Sequence, residues 1–153
     1  MPKDPAMDLT DRELLKEIGR TCACFNLRRA ARLVTQRFDR VLRQSGLKAT
    51  QFPILMAAYQ QEGILLTRMA KMLGMERTTL TRNLTLLEQR GMLLVEPGQD
   101  RRERQIRITH RGVTLLETCL PLWRKAQSEI MEAVGREKWD AMLSGLHEVA
   151  RKL

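Results

Sequence analysis

Residues 73–84 read Leu73-Gly74-Met75-Glu76-Arg77-Thr78-Thr79-Leu80-Thr81-Arg82-Asn83-Leu84, and their pattern decides the fold. Gly74 stops a short apolar-periodic segment, Met69, Ala70 and Leu73, for which Thr67 is the expected cap. A second segment opens at Arg77 and runs to Arg90, before Gly91. Helical steps of about 100° put Leu80, Leu84 and Leu87 on one face of it. Thr78, Arg82, Thr85 and Gln89 fall roughly opposite, with Thr79 and Thr81 on the flanks. The expected unit is two helices joined by a tight glycine-containing turn, the second burying leucines and presenting short polar groups. Leu86 fits poorly, because it projects toward the outer flank; packing on nearby strands would account for it.

Downstream lies the clear β signal. Met92-Leu93-Leu94-Val95-Glu96 reads as a strand, Pro97-Gly98-Gln99-Asp100 as a turn, and Arg104-Gln105-Ile106-Arg107-Ile108-Thr109 as a half-buried alternating strand. The resulting hairpin carries Arg101, Arg102 and Arg104 at or beside its tip. Three guanidiniums there repel one another unless water or a polyanion receives them. Asp100 is expected to brace the turn or pair with an arginine.

A helix with a Leu-backed polar face, followed by a cationic hairpin, has the chemistry of a winged helix-turn-helix on duplex DNA. Near the start of such a helix, Arg82 can fork onto a guanine edge, while threonines meet phosphates or a thymine methyl. Arg101 or Arg102 can enter the adjacent minor groove, whose narrow floor attracts guanidinium. The candidate DNA-binding residues are Arg77, Thr78, Thr79, Thr81, Arg82, Thr85, Arg101, Arg102 and Arg104.

Composition points the same way. The 153 residues hold 27 Lys and Arg against 18 Asp and Glu, a net charge of +9 that favours a polyanionic partner. No nucleophile elbow, phosphate-binding glycine loop or paired catalytic carboxylates are present, so an enzyme is not expected. Nor are a cofactor or a metal, since His110 and His147 have no ligand spacing with the cysteines. The start, Met1-Pro2-Lys3-Asp4-Pro5, lacks the apolar core of a secretion signal, and no run suits a bilayer span. Three cysteines make no disulfide framework. A cytoplasmic protein with no membrane partner is expected.

Both ends read as helix. Across residues 14–43, Ile18, Cys22, Phe25, Leu33, Val34, Phe38, Val41 and Leu42 recur at helical spacing against a basic face. Thr50 should cap the next helix, which runs to about Gln60 with Pro53 in its first turn, and Ile64-Leu65-Leu66 is a short extended piece. Beyond Gly112 helix resumes to Val134, and Pro121 should kink or split it. A last helix follows Gly135. Leu115, Leu116, Leu122 and Trp123, with Met142, Leu146 and Val149, form apolar stripes suited to a homodimer. The expected fold is mainly α with a small β-hairpin wing. Residues 1–48 and 112–153 form helical dimerisation regions, and 49–111 the DNA-binding domain. Cys22 and Cys24, placed on one helix, point about 200° apart and do not pair easily; a structural buried thiol is the preferred reading of Cys22.

At this point the sequence resembles the MarR (multiple antibiotic resistance regulator) family. The resemblance rests on residues 73–84, then Leu87-Glu88-Gln89-Arg90-Gly91, Asp100-Arg101-Arg102 and Ile108-Thr109-His110-Arg111-Gly112, in order and spacing. One departure is Glu76, where members often carry Asp or Ser; Glu caps less well, so the helix start is open to a one-residue shift. The resemblance implies a triangular, mostly helical dimer that binds pseudo-palindromic operators, often as a repressor released by a small aromatic or amphipathic ligand. By the same analogy the effector pocket would draw on Phe25, Arg28, Arg29, Arg32, Phe52, Met56, Tyr59 and Trp123, and suit an aromatic carboxylate or an acyl thioester. Two alternatives stand beside this: oxidant sensing through Cys22, as in some members, and a winged helix that binds protein rather than DNA.

Overall fold

The structure is a computed structural model describing residues 12–100 and 102–153. Its backbone divides into two compact units, Met1–Gln36 and Arg37–Leu153.

The first unit holds α1 (Arg12–Thr21) and most of α2 (Ala23–Leu42). The sequence periodicity predicts one helix over residues 14–43; the structure has two, meeting at Cys22. The cause is local. The Asn26 side-chain amide donates to the carbonyls of Gly19 and Arg20 (3.3 Å each), acceptors that a straight helix pairs with backbone, and to Cys22 O (2.9 Å), which also accepts from the Asn26 backbone N–H at 3.1 Å. The Cys22 sulfur accepts from the Phe25 N–H at 3.5 Å and so caps α2. Hydrophobic residues of this unit stay open: Leu15, Ile18, Phe25 and Leu33 are each about half exposed, at 46–57%.

The second unit begins with the end of α2 and a short 3-10 turn at Arg43–Ser45, closed by Gly46 in the left-handed region. Then follow α3 (Phe52–Gln60), β1 (Ile64–Leu65), α4 (Leu66–Leu73), α5 (Arg77–Gln89), β2 (Leu93–Pro97), β3 (Arg104–Ile108), α6 (His110–Val134) and α7 (Arg136–Lys152). The expected hairpin is present with Val95 opposite Ile106, and β1 joins it to make an antiparallel sheet of order β1-β3-β2.

Three expected caps or breaks differ. Gln51, not Thr50, precedes α3; its buried side-chain oxygen accepts from the Lys48 N–H, while Asp39 on α2 accepts from the Ala49 N–H at 2.7 Å. Thr67 lies inside the first turn of α4, because β1 feeds straight into the helix and leaves extended Leu65 at the cap position. Pro121 does not split α6: its ring is on the exposed side, where solvent can bond the carbonyl left without a donor.

The core gathers leucines from every layer. Leu80, Leu84 and Leu87 of α5 pack with Ile54, Leu55, Met69, Leu93 and Ile106, all at most 2% exposed. The α6 stripe joins this core, with Leu116 buried and Leu115 and Leu122 packed against it, so it does not serve as an open surface. Met142, Leu146 and Val149 of α7 remain 37–45% exposed. Thr109 ties the start of α6 to the end of α5: its hydroxyl donates to Gly91 O (2.7 Å) and accepts from Gly112 N (3.1 Å). Gly112 is obligatory there, since a Cβ would stand 2.1 Å from the Met92 carbonyl oxygen. Among the described residues no helix is long and apolar enough to cross a membrane.

Candidate nucleic-acid interface

The turn Gly74-Met75-Glu76 sets α5 against α4. Gly74 adopts φ +60°, and Met75 N–H returns to Ala70 O at 2.9 Å, which stops α4 sharply. Extended Glu76 then launches α5, with no side-chain cap bond; the helix still begins at Arg77. With three leucines buried behind, Arg77, Thr78, Thr79, Thr81, Arg82 and Thr85 are all exposed.

The threonines are not equivalent. Thr81 Oγ1 donates to Arg77 O (2.8 Å) and Thr85 Oγ1 to Thr81 O (3.0 Å). Their hydroxyl protons are engaged by their own helix, leaving methyl groups and oxygen lone pairs outward. Thr78 and Thr79 hydroxyls have no such bond among the described residues, so they keep a donor for a phosphate oxygen. Leu86 is 47% exposed, so it does not bury on the strands as its sequence position suggests.

The wing turn is held by its own backbone and by Asp100. Gly98 N donates to Glu103 O (3.0 Å), Glu103 N to Asp100 O (2.9 Å), and Arg102 N to Asp100 Oδ1 (3.0 Å). Asp100 is therefore the expected brace, which explains an acid at a cationic tip. Arg102 and Arg104 are exposed; Arg101 lies outside the described residues. At the wing base the fold brings candidates together: Arg77, Arg102 and Arg104 line one cleft of about 80 Å³ with Leu65, Leu66, Thr67 and Glu103. Arg82 and Thr85 are not part of that cleft. Sequence reasoning does not single out Arg107, whose guanidinium bridges Glu62 (2.8 Å) and Glu96 (3.1 Å), joining the loop before β1 to both hairpin strands.

The suggested effector residues divide. Phe25, Arg28, Arg29 and Arg32 belong to the first unit and are exposed. In the second, Phe52 and Trp123 stack, with centroids 6.3 Å apart and planes at 10°. Phe38, a general core position by its spacing, meets the same Trp123 at 6.5 Å. Met56 packs against the core, while Tyr59 is 57% exposed. Nearby in sequence, Arg37 reaches the buried Glu129 Oε2 at 2.5 Å. Cys119 is fully buried, and burial pushes its thiol pKa upward against smaller opposing effects of Ser45 and Arg90. Among the described residues no group of three or more His, Cys, Asp or Glu is placed to hold a metal ion.

Comparison with known proteins fits this geometry. The MarR family profile matches residues 47–103. The Mycobacterium tuberculosis transcriptional regulator MosR, solved in complex with DNA, is 39% identical with a TM-score of 0.73, covering 86% of this chain and 99% of that one. The transcriptional repressor CouR, solved on a 23-mer DNA duplex, is 28% identical with a TM-score of 0.75, over 84% of this chain and 92% of its own. CouR bound to p-coumaroyl-CoA is likewise similar, at 26% identity and a TM-score of 0.77, over 86% and 93%. No curated protein sequence gives a significant match. The chain belongs to the MarR family: it is a winged-helix, DNA-binding transcription regulator and not an enzyme.

Proposed function

We propose that the chain is a cytoplasmic repressor that binds a pseudo-palindromic operator as a homodimer and is released by a small aromatic or acyl ligand. The observation that carries the DNA-contact assignment is the shared cleft, where Arg77 of α5 stands with Arg102 and Arg104 of the wing. Phosphate between major and minor grooves meets all three there. Arg82 then reads a base edge, Thr78 and Thr79 donate to the backbone, and Arg101 and Arg102 follow the minor groove. Residues 49–111 would carry this contact, with 1–48 and 112–153 pairing two copies.

Pairing is supported by exposure. Leu15, Ile18, Phe25 and Leu33 toward one end of the sequence, and Met142, Leu146 and Val149 toward the other, stay 37–57% exposed among the described residues. The ligand proposal draws on the likeness to CouR bound to p-coumaroyl-CoA, an aromatic acyl thioester, and on the stacked Phe52 and Trp123 near Met56. Selection of bound sites from random duplexes is the direct test. The expected product is an inverted repeat with half-site centres about one helical turn apart, or a multiple of it. Recovery of single, unpaired sites would reject the dimeric reading.

A further inference from the structure

Besides the leucine core, the recognition helix and the wing are linked by a hydrogen bond from a side chain outside the DNA-contact set. Glu88, in the last turn of α5, accepts a hydrogen bond from the Val95 backbone N–H at 2.9 Å. Val95 sits in the middle of β2, which is an edge strand because the sheet runs β1-β3-β2. Its N–H points away from β3, and without Glu88 it would be an open edge donor. On the next residue, Glu96 is held by Arg107, which also grips Glu62. The β2 strand is thus fastened from both sides: to its own sheet and the loop before β1 by Arg107, and to the recognition helix by Glu88.

We propose that Glu88 is a positioning residue that fixes the wing against the recognition helix, so that both grip one duplex in register. This rests on the DNA contacts proposed above. An acidic residue on the DNA-contacting lobe of so basic a chain opposes DNA binding by its charge, and the bond to Val95 gives a reason for its presence. With the bond broken, β2 can slide or lift relative to α5, and the cleft shared by Arg77, Arg102 and Arg104 loses its shape. The helix would still enter the groove while the wing no longer met its phosphates.

The test compares Glu88→Leu with Glu88→Gln, since both remove the charge and only Gln keeps an oxygen acceptor. Operator and random-duplex affinity are measured across salt concentrations, beside the melting temperature of each variant. Glu88→Leu should bind operator about tenfold more weakly than Glu88→Gln, with a salt slope lower by about one unit, the value of one phosphate. Melting temperatures of the two should stay within about 3 °C. Equal operator affinity and equal slopes in the two variants would overturn the proposal. So would a Glu88→Leu defect that simply tracks lost stability. If wild type itself showed no operator preference over random duplex, the DNA-contact assignment would fail instead, which is a separate outcome.

Discussion

The Phe52 ring lies almost parallel to the Trp123 indole, and Phe38 meets the same indole at a tilt of 40°. The indole that a flat ligand would stack upon thus already has two of the protein's own rings beside it. A ligand must part this stack or extend it, and either event changes the surroundings of Trp123. The chain has two tryptophans, so Trp139→Phe leaves Trp123 as the sole reporter. Titration of that variant with an aromatic acyl thioester should shift or quench its emission to saturation. A flat titration alongside undiminished DNA release would place the ligand elsewhere.

Arg82 is exposed on α5 and separate from the wing cleft, which suits base reading more than phosphate holding. Arg82→Ala should cost about 1–3 kcal/mol of discrimination between operator and random duplex. If both duplexes weaken equally, Arg82 holds phosphate and the base-reading role passes to another residue.

In the proposed interface Arg102 and Arg104 would act through charge. Replacing both with Ala should weaken every duplex similarly and lower the logarithmic salt slope by about one unit for each phosphate no longer neutralised. Unchanged affinity in the double variant removes the wing from the interface.

Burial raises the Cys119 thiol pKa above its ordinary value of 9.0. The folded state thus holds the proton more tightly than the unfolded state. That contribution to stability is complete below the ordinary value and is lost as pH climbs through the raised one. Denaturant unfolding at increasing alkaline pH should show a decline that is smaller in Cys119→Ala. In thiol labelling of the native protein, exposed Cys24 should react fast and Cys119 only after unfolding.

Most of the scaffold of the candidate interface is legible in the sequence because its signals are local. Leucines at helical spacing, Gly74 and the alternating residues 104–108 each report on neighbours along the chain, and all three behave in the structure as their spacing predicts. What escapes such reading depends on packing between distant segments or on competition for one backbone group. The break at Cys22 follows from Asn26 reaching back to carbonyls that no periodicity reveals. The third strand exists because Ile64 finds Ile106. Leu115, Leu116 and Leu122 look like a stripe for a partner, yet the core of the same unit takes them. Glu88 and Arg107 read as ordinary surface charges until the hairpin is folded beside them.

The inward-turned hydroxyls of Thr81 and Thr85 carry one further consequence. On the proposed recognition face these two positions offer methyls in place of hydroxyl donors and would sense the 5-position of pyrimidines. Uracil in place of thymine would present a gap to it, and cytosine methylated at the same carbon would mimic thymine in shape. Operator occupancy would then respond to chemical marking of the DNA as well as to its base order.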